Sequence, residues 1–386
     1  MRPPVVALGV QGAQSATSAG RGLSRYVTEQ AEALVKLRPG AVAQLSCSPR
    51  LALPETLSRL GALTSVAPSA QRPDGDGGLV YHVMSPFEFM NVDEIWPVWA
   101  QAADVALVVT LHDLIPLTYP DRYLTEAHGR RYYMTRLELV RGADAVVAIS
   151  KSAAREAQTI LGIPEERLFV SYEDCGPAFS PDPDRAAAFE RARRALPALR
   201  PDFVVYVGGM DFRKNVVVLL EAISMLPAEL RSRHQLVIAG RHPPHETRQL
   251  HAELDRFGIA AGTLVGGYLP DGVLADLYRS CAALVQPSLH EGFGLTALEA
   301  MRAGAPVLVS DATSLPEIVT WPEARFDPAD AEALRDLLGR VLTDAAFRES
   351  LGRQGLQGAR AFSWERSSEV VAEAHRYAAA RRAGAA

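Results

Sequence analysis

Two parallel, doubly wound α/β domains are the fold class this sequence predicts, and three observations carry the prediction. Short apolar runs alternate with longer helical patterns almost throughout the chain. The alternation comes in two series, separated by a stretch rich in proline and charge, Phe179–Pro201. The length, 386 residues, exceeds one ordinary core and suits two domains of roughly 150–200 residues each.

In the first series, Val5–Val10, Leu79–Val83, Val105–Leu111 and Ala145–Ile149 predict strands. They are apolar at nearly every position, as strands of a parallel sheet covered on both faces must be. Leu23–Lys36, Leu124–Arg141 and Ser152–Leu161 predict helices between them. In the second series Phe203–Val207, Leu236–Ala239, Ala283–Val285 and Val307–Val309 predict strands. Val216–Met225, Leu274–Arg279 and Ala329–Leu342 predict helices. With the linker at Phe179–Pro201, the expected domains are residues 1–190 and 198–363. No internal repeat stands out.

Hydrophobic residues make up 48% and charged residues 22% of the chain, which argues for a globular protein rather than a disordered one. The net charge of −5 gives nucleic-acid binding no global electrostatic support. Cys47, Cys175 and Cys281 are odd in number and far apart, which fits a reducing compartment and no metal cluster. The start, MRPPVVALGVQGAQS, has too short an apolar core for a secretory signal and reads as a first strand. No run approaches the roughly 20 apolar residues of a spanning helix. The expected location is cytoplasmic, and peripheral attachment to the inner face of a membrane is compatible with it.

The most informative segment is HEGFGLTALEAM, His290–Met301. An apolar run leads through Gln286-Pro287-Ser288 into a loop carrying Glu291, Gly292, Phe293 and Gly294. From Leu295 the spacing becomes helical, with Leu295, Leu298 and Met301 on one face and Glu299 within the helix. A carboxylate there needs a hydrogen-bonding partner. The glycines allow close backbone approach, and the free N–H groups at the helix start favour an anion. Two carboxylates for hydroxyls and a nest of donors for phosphate suit a nucleotide-sugar. Upstream, Phe203–Val207 ends in Gly208-Gly209, followed by Met210, Arg213 and Lys214. Ligands of open parallel sheets bind beyond the carboxyl ends of strands, so this loop is placed for phosphate. Arg213 offers a planar fork and Lys214 a mobile point charge, a plausible clamp for a diphosphate.

The segment His290–Met301 closely resembles the nucleotide-sugar signature of retaining glycosyltransferases of family 4, which have the GT-B fold. The proline-glutamate pair Pro316-Glu317 is similar to that family as well. The resemblance is strong from Gly208 to Glu317 and weaker before Asp113. It implies two Rossmann-like domains facing a central cleft, and a last helix crossing back to the first domain. The Phe362-Ser363-Trp364 start of the C-terminal helical segment, residues 364–386, resembles that crossover. It implies that Glu291 binds donor-sugar hydroxyls and Glu299 the nucleotide ribose. The amides around Gly292, Phe293, Gly294 and Leu295 would contact sugar and diphosphate. Arg213 and Lys214 would neutralise the leaving diphosphate, with Met210 standing where the family often has an arginine after Gly209. The loop Tyr268-Leu269 after Gly266-Gly267 would lie against the nucleobase.

In the first domain, His112 at the end of DVALVVTLHD resembles the family's active-site histidine, which contacts the donor sugar. Asp113 beside it would orient the loop or the acceptor. Gly20, Arg21 and Gly22 stand between the first strand and an amphipathic helix, where a glycine loop can approach diphosphate or acceptor. Their GRGLSRY context resembles the start of bacterial mannosyl- and rhamnosyltransferase-like proteins of polysaccharide or natural-product pathways. Ser24 fills the place of a second glycine. Ser150 and Lys151 either line the cleft or cap a helix. Asp74 and Asp76 have the Asp-x-Asp spacing of metal-dependent transferases, but in PDGDGG they read as a turn before a strand.

The expected activity is therefore a retaining, metal-independent hexosyl transfer without a cofactor. The donor would be GDP-mannose or a nucleotide-rhamnose, with UDP-sugars also open. The acceptor would be a saccharide, a lipid-linked glycan or a small natural product. Two alternatives keep the fold: a nucleotide-sugar epimerase and a catalytically silent sugar-binding scaffold. A nicotinamide dehydrogenase is disfavoured because Gly9, Gly12 and Gly20 do not make a G-x-G-x-x-G loop.

Overall fold

The computed structural model describes residues 3–15, 22–37, 39–74, 78–88 and 90–385. The chain divides into two compact units, the first formed by Met1–Glu173 with Phe362–Ala386 and the second by Asp174–Ala361. Each is built on one parallel sheet.

The first unit has seven strands: β1 (Val5–Gly9), β2 (Val42–Cys47), β3 (Ser65–Pro68), β4 (Leu79–Val83), β5 (Val105–Leu111), β6 (Ala145–Ala148) and β7 (Leu168–Val170). Their order is β3-β2-β1-β4-β5-β6-β7, all parallel. Every residue of β4, β5 and β6 is buried, which is why these three were visible as continuous apolar runs. β2 escaped notice because Gln44 and Ser46 interrupt its apolar character. Both are buried, and Gln44 Nε2 donates to Ser46 Oγ at 2.9 Å.

The second unit has six strands: β8 (Val204–Val207), β9 (Leu236–Ala239), β10 (Thr263–Gly267), β11 (Ala283–Gln286), β12 (Val307–Ser310) and β13 (Arg325–Phe326). Their order is β10-β9-β8-β11-β12-β13, again all parallel. In both sheets the order reverses once, between β1 and β4 and between β8 and β11. Such a switch point opens a crevice beyond the carboxyl ends of the two strands.

The chain passes from one unit to the other at Glu173–Asp174, upstream of the stretch read as a linker. Much of that stretch is a helix, Arg185–Ala195, within the second unit. Asp184 caps it, accepting from Ala187 N at 2.8 Å. Arg191 makes a two-pronged bond to Asp276 on the helix Asp271–Ser280, at 2.9 and 2.7 Å. The prolines flank this helix instead of interrupting it.

The C-terminal helix, Trp364–Ala385, returns to the first unit and packs on the helix Gly22–Leu37 and on β5 and β6. A buried polar seam holds it there. Gln30 Nε2 donates to Ser368 Oγ at 2.9 Å, and Ser171 Oγ and Ser367 Oγ lie 2.7 Å apart. Deeper in, His375 Nε2 and His82 Nδ1 share a hydrogen bond of 3.0 Å, and His82 Nε2 meets Thr110 Oγ1 at 2.9 Å. Tyr26 Oη joins the same Thr110 hydroxyl at 3.2 Å. No helix among the described residues is long and apolar enough to cross a membrane.

Burial first, then the neighbouring His375 and His112, holds the His82 imidazole well below its usual 6.5. His82 is therefore neutral when folded, whereas in the unfolded chain it takes up a proton as pH falls through its usual range. The unfolded state then binds more protons, so stability declines as pH drops below about 6.5. We predict a melting temperature that falls between pH 7.5 and pH 5.5, with a shallower slope in His82→Gln. Thermal melts across that range check it; equal slopes would remove His82 as the source.

Candidate functional site

Glu291 is the centre of the site in the second unit. It lies in the loop after β11, almost fully buried at 7% exposure. Lys214 Nζ donates to its Oε1 at 2.7 Å and Arg213 Nη1 to its Oε2 at 2.9 Å. Ser288 Oγ and Gln286 Nε2 also donate to Oε1, at 2.7 and 3.0 Å. Burial alone pushes this carboxyl up. The charges of Lys214 and then Arg213, helped by hydrogen bonds from Lys214 and Ser288, overcome it and hold the carboxyl down at about 2. Burial pushes the Lys214 ammonium down; Glu291 opposes that shift and Arg213 adds to it.

The backbone around Glu291 is pinned as firmly as its side chain. Glu291 N donates to Thr313 Oγ1 at 3.0 Å, and Ser314 Oγ donates to Glu291 O at 2.9 Å. Thr313 adopts φ +49°, a left-handed conformation that a β-branched residue seldom accepts. That local strain sits in the loop that fixes Glu291. Leu289 N donates to Arg213 O at 2.7 Å, tying the Glu291 loop to the clamp loop.

The clamp residues form a 3-10 turn, Phe212–Lys214, after β8. Asp211 opens it, accepting from Arg213 N at 3.1 Å. Asn215 closes it in the left-handed conformation that asparagine tolerates, and its Nδ2 donates to Pro287 O and Pro328 O at 3.0 and 2.8 Å. A helix, Val216–Ser224, follows. Gly209 O accepts from Tyr206 Oη at 2.7 Å, and Met210 N donates to Glu246 Oε2 at 2.9 Å.

Gly294 takes φ +114° immediately before the helix Leu295–Ala303. A Cβ there would come within 2.8 Å of Leu315 Cδ2 and 2.9 Å of Ile318 Cδ1, so both conformation and space require glycine. Gly292 is half-buried and Phe293 is buried. Glu299 is buried inside the helix, and Tyr278 Oη donates to its Oε2 at 3.3 Å. The partner that a carboxylate at this position needs is thus a tyrosine from the helix Asp271–Ser280.

Tyr268 and Leu269 follow β10, with Tyr268 54% exposed and Leu269 half-buried. Arg213, Lys214 and Glu291 are brought into direct contact. Gly209 follows β8, Tyr268 follows β10, Gly292–Gly294 follow β11, and Leu295 and Glu299 lie in the helix after it, all in the same unit. Sequence reasoning missed Ser288, Thr313, Ser314 and Glu246. Of these only Ser288 had a signal, a polar residue directly after an apolar strand.

In the first unit His112 follows β5, its Nε2 donating to Met84 O at 3.0 Å and its Nδ1 3.8 Å from Glu173 Oε1. The ring meets Tyr26 edge-on, with centroids 4.8 Å apart. Asp113 Oδ1 accepts from Ile115 N at 3.1 Å and so orients its loop. Gly22 is the exposed first residue of the helix Gly22–Leu37; Gly20 and Arg21 lie outside the described residues. Ser150 caps the helix Lys151–Leu161 through Ala153 N at 3.0 Å. Asp76 lies outside the described residues too. Among the described residues no three His, Cys, Asp or Glu side chains group where they would hold a metal ion.

Replacing Glu291 by glutamine removes the carboxylate that bonds both Lys214 and Arg213, and removing one partner of a buried pair costs on the order of 3 kcal/mol. The carboxyl is held low in the folded state, so its stabilisation is full above the ordinary glutamate range and fades as pH falls towards about 2. Glu291→Gln is accordingly expected to be less stable than the native chain at pH 7, with the gap narrowing by pH 3. Urea unfolding at both pH values measures it, and a gap independent of pH would contradict the pairing.

Comparison with known proteins bears on the family of this chain. The family model for glycosyl transferases group 1 matches residues 189–357, and that for glycosyltransferase family 4 matches residues 20–173. The Escherichia coli serotype-specific mannosyltransferase WbdA is 35% identical over 295 residues, 76% of this chain and 36% of WbdA. The chain thus spans about a third of the length of that relative. Escherichia coli O-antigen chain mannosyltransferase B is 32% identical over 275 residues, 70% of each chain. Among solved structures, Anabaena HepE in complex with UDP-glucose superposes with a TM-score of 0.71 at 16% identity, covering 96% of this chain and 99% of that one. Sucrose-phosphate synthase from Thermosynechococcus elongatus gives 0.70 at 20% identity, covering 97% and 98%. The fold is GT-B, and the chain belongs to glycosyltransferase family 4.

Proposed function

We propose that this chain transfers a hexose or deoxyhexose from a nucleotide-diphospho-sugar to a saccharide or lipid-linked acceptor, with retention at the anomeric carbon. The observation that carries this reading is the Glu291 cluster: a buried carboxylate flanked by two cations at the switch point of a parallel sheet. The mannosyltransferase names of its relatives favour GDP-mannose as donor, and their O-antigen and serotype roles favour a polysaccharide acceptor. A cytoplasmic setting, with contact to the membrane face where lipid-linked acceptors reside, belongs to the same reading.

In the proposed reaction the acceptor hydroxyl oxygen bonds to the anomeric carbon on the face from which the diphosphate departs. The bond from that carbon to the phosphate oxygen breaks, and its electron pair leaves with the phosphate. The leaving oxygen takes up the acceptor's proton. Arg213, Lys214 and the amides at the start of the helix Leu295–Ala303 stabilise the negative charge that develops. Glu291 receives sugar hydroxyls on the side facing its two cations. Glu299 receives the ribose, and His112 contacts the donor sugar.

The two glutamates are expected to fail differently. Ribose does not change during reaction, so Glu299→Gln should chiefly weaken binding of donor and of free nucleoside diphosphate. Glu291 acts next to the reacting carbon, so Glu291→Gln should lower turnover by on the order of 10²-fold with a smaller loss of nucleotide affinity. Calorimetry with GDP beside steady-state transfer rates separates the two. Weaker GDP binding by Glu291→Gln than by Glu299→Gln would reverse the donor pose. Epimer formation without transfer would replace transferase by epimerase.

Because Arg213 and Lys214 supply the positive charge at the leaving group, transfer is expected to continue in EDTA. Rates with and without chelator test this. A loss restored by Mg²⁺ or Mn²⁺ would assign that charge to a metal instead.

A further inference from the structure

The loop after β4 starts at the switch point of the first sheet and is tied down at two places. Met84 O accepts from His112 Nε2 at 3.0 Å, and Met90 O accepts from Arg136 Nη2. Arg136 belongs to the helix Ala127–Gly142, which buries Tyr133, Arg136, Leu137 and Val140 on one face. Leucine and valine there continue the core. A tyrosine and an arginine bring polar groups into it. Arg136 is 1% exposed and Tyr133 7%. Among the described residues nothing bonds Arg136 Nε, Arg136 Nη1 or the Tyr133 hydroxyl.

A buried guanidinium or hydroxyl without a partner costs free energy, so these groups call for one. Their surroundings say of what kind. The Phe87 ring stacks on Tyr133, with centroids 4.6 Å apart and planes 17° from parallel, and it is half-buried, so the stack reaches the surface. The Arg136 guanidinium lies over the Tyr132 ring, 5.0 Å from its centroid. The Glu88 carboxylate, from the same loop, acts on the Tyr132 phenol. Burial first, then the Asp113 and Glu156 carboxylates, push the Tyr133 phenol up, so it keeps its proton and can donate. A phosphate only accepts hydrogen bonds and meets these carboxylates with like charge. A sugar hydroxyl accepts from an arginine and donates to a carboxylate, and the apolar face of its ring suits an aromatic stack.

We propose that Tyr133 and Arg136, with the Phe87 ring, bind a neutral sugar ring of the acceptor. The inference rests on the transferase reading, in which His112 meets the donor sugar. It adds which side chains of the first unit hold the acceptor and what chemistry they take. The loop after β4 joins His112 to Arg136, so an acceptor held here lies on the same strand-end edge as His112.

The test is an NMR titration of the full chain with α-mannobiose, standing for the polysaccharide acceptor, and with a mannose phosphate, beside calorimetry with GDP and pyrophosphate. The native protein is expected to bind the disaccharide and to take the mannose phosphate more weakly. Tyr133→Phe removes only a hydroxyl that has no partner in the protein, so its melting temperature should stay or rise. Its affinity for the disaccharide should fall about fivefold, the scale of one neutral hydrogen bond, with GDP affinity unchanged. Arg136→Lys keeps the charge and loses the fork, and should weaken the disaccharide about tenfold or more. A merely structural tyrosine would lower the melting temperature on losing its hydroxyl and leave disaccharide affinity alone. An unchanged affinity in Tyr133→Phe overturns the inference, as does a native protein that binds no neutral disaccharide or prefers the mannose phosphate. Disaccharide binding without any binding of GDP or pyrophosphate removes the transferase reading, and with it the assignment of that sugar as acceptor.

Discussion

The second unit is organised around one buried ionic contact, Glu291 held between Lys214 and Arg213. Removing a carboxylate from water is costly, and the structure offsets that cost with two cations and two neutral donors, Ser288 and Gln286. What the arrangement contributes most is position. The clamp loop after β8 and the Glu291 loop after β11 are separate segments, and each fixes the other. Thr313 and Ser314 then secure the backbone from a third loop, after β12. Three strand ends that would otherwise carry independent loops are thereby joined at the switch point of the sheet.

The first unit solves a different problem with a different device. Its sheet must accept a helix from the far end of the chain, and apolar packing alone would not fix how that helix is rotated. The hydrogen bonds from Gln30, Ser171, His82 and Thr110 to residues of the C-terminal helix and its neighbours do so, because each satisfies a buried polar group only in one register. His82, buried in the sheet and hydrogen-bonded to His375, is held neutral, which makes this seam sensitive to acid. The ionic cluster of the second unit keeps its charge down to much lower pH.

Central strands were legible because burial on both faces demands unbroken apolar runs: β4, β5 and β9 were predicted with their observed bounds. Edge and polar strands were not. β13 has two residues, β10 ends in Gly266-Gly267, and β2 hides two buried polar side chains. The helix Arg185–Ala195 lies in the stretch whose proline and charge content suggested a linker, although its Arg191 is fixed to Asp276. At the site, Glu291, Glu299, Arg213 and Lys214 were visible as a motif. That Arg213 and Lys214 both bond Glu291, while Glu299 bonds Tyr278, was not visible. Spacing along a chain records which residues share a segment, but the contact of Glu291 with Lys214 joins positions 77 residues apart.

That long-range contact also bears on how charge is managed at this site. Two adjacent cations facing an empty crevice would repel each other and draw in solvent anions, and burial already works against Lys214. Glu291 opposes that shift on Lys214 and holds both side chains oriented and close. Each of its oxygens accepts from one cation, and Arg213 Nη1 also donates to His290 O at 3.3 Å. Donors fixed in this way need no rebuilding of the cluster before they meet negative charge. Such preorganisation is where an electrostatic site derives most of its effect on developing charge. The strained Thr313 and the obligatory Gly294 fit the same logic, since local conformational cost is tolerated where it holds the acceptors and donors of one site in a single arrangement.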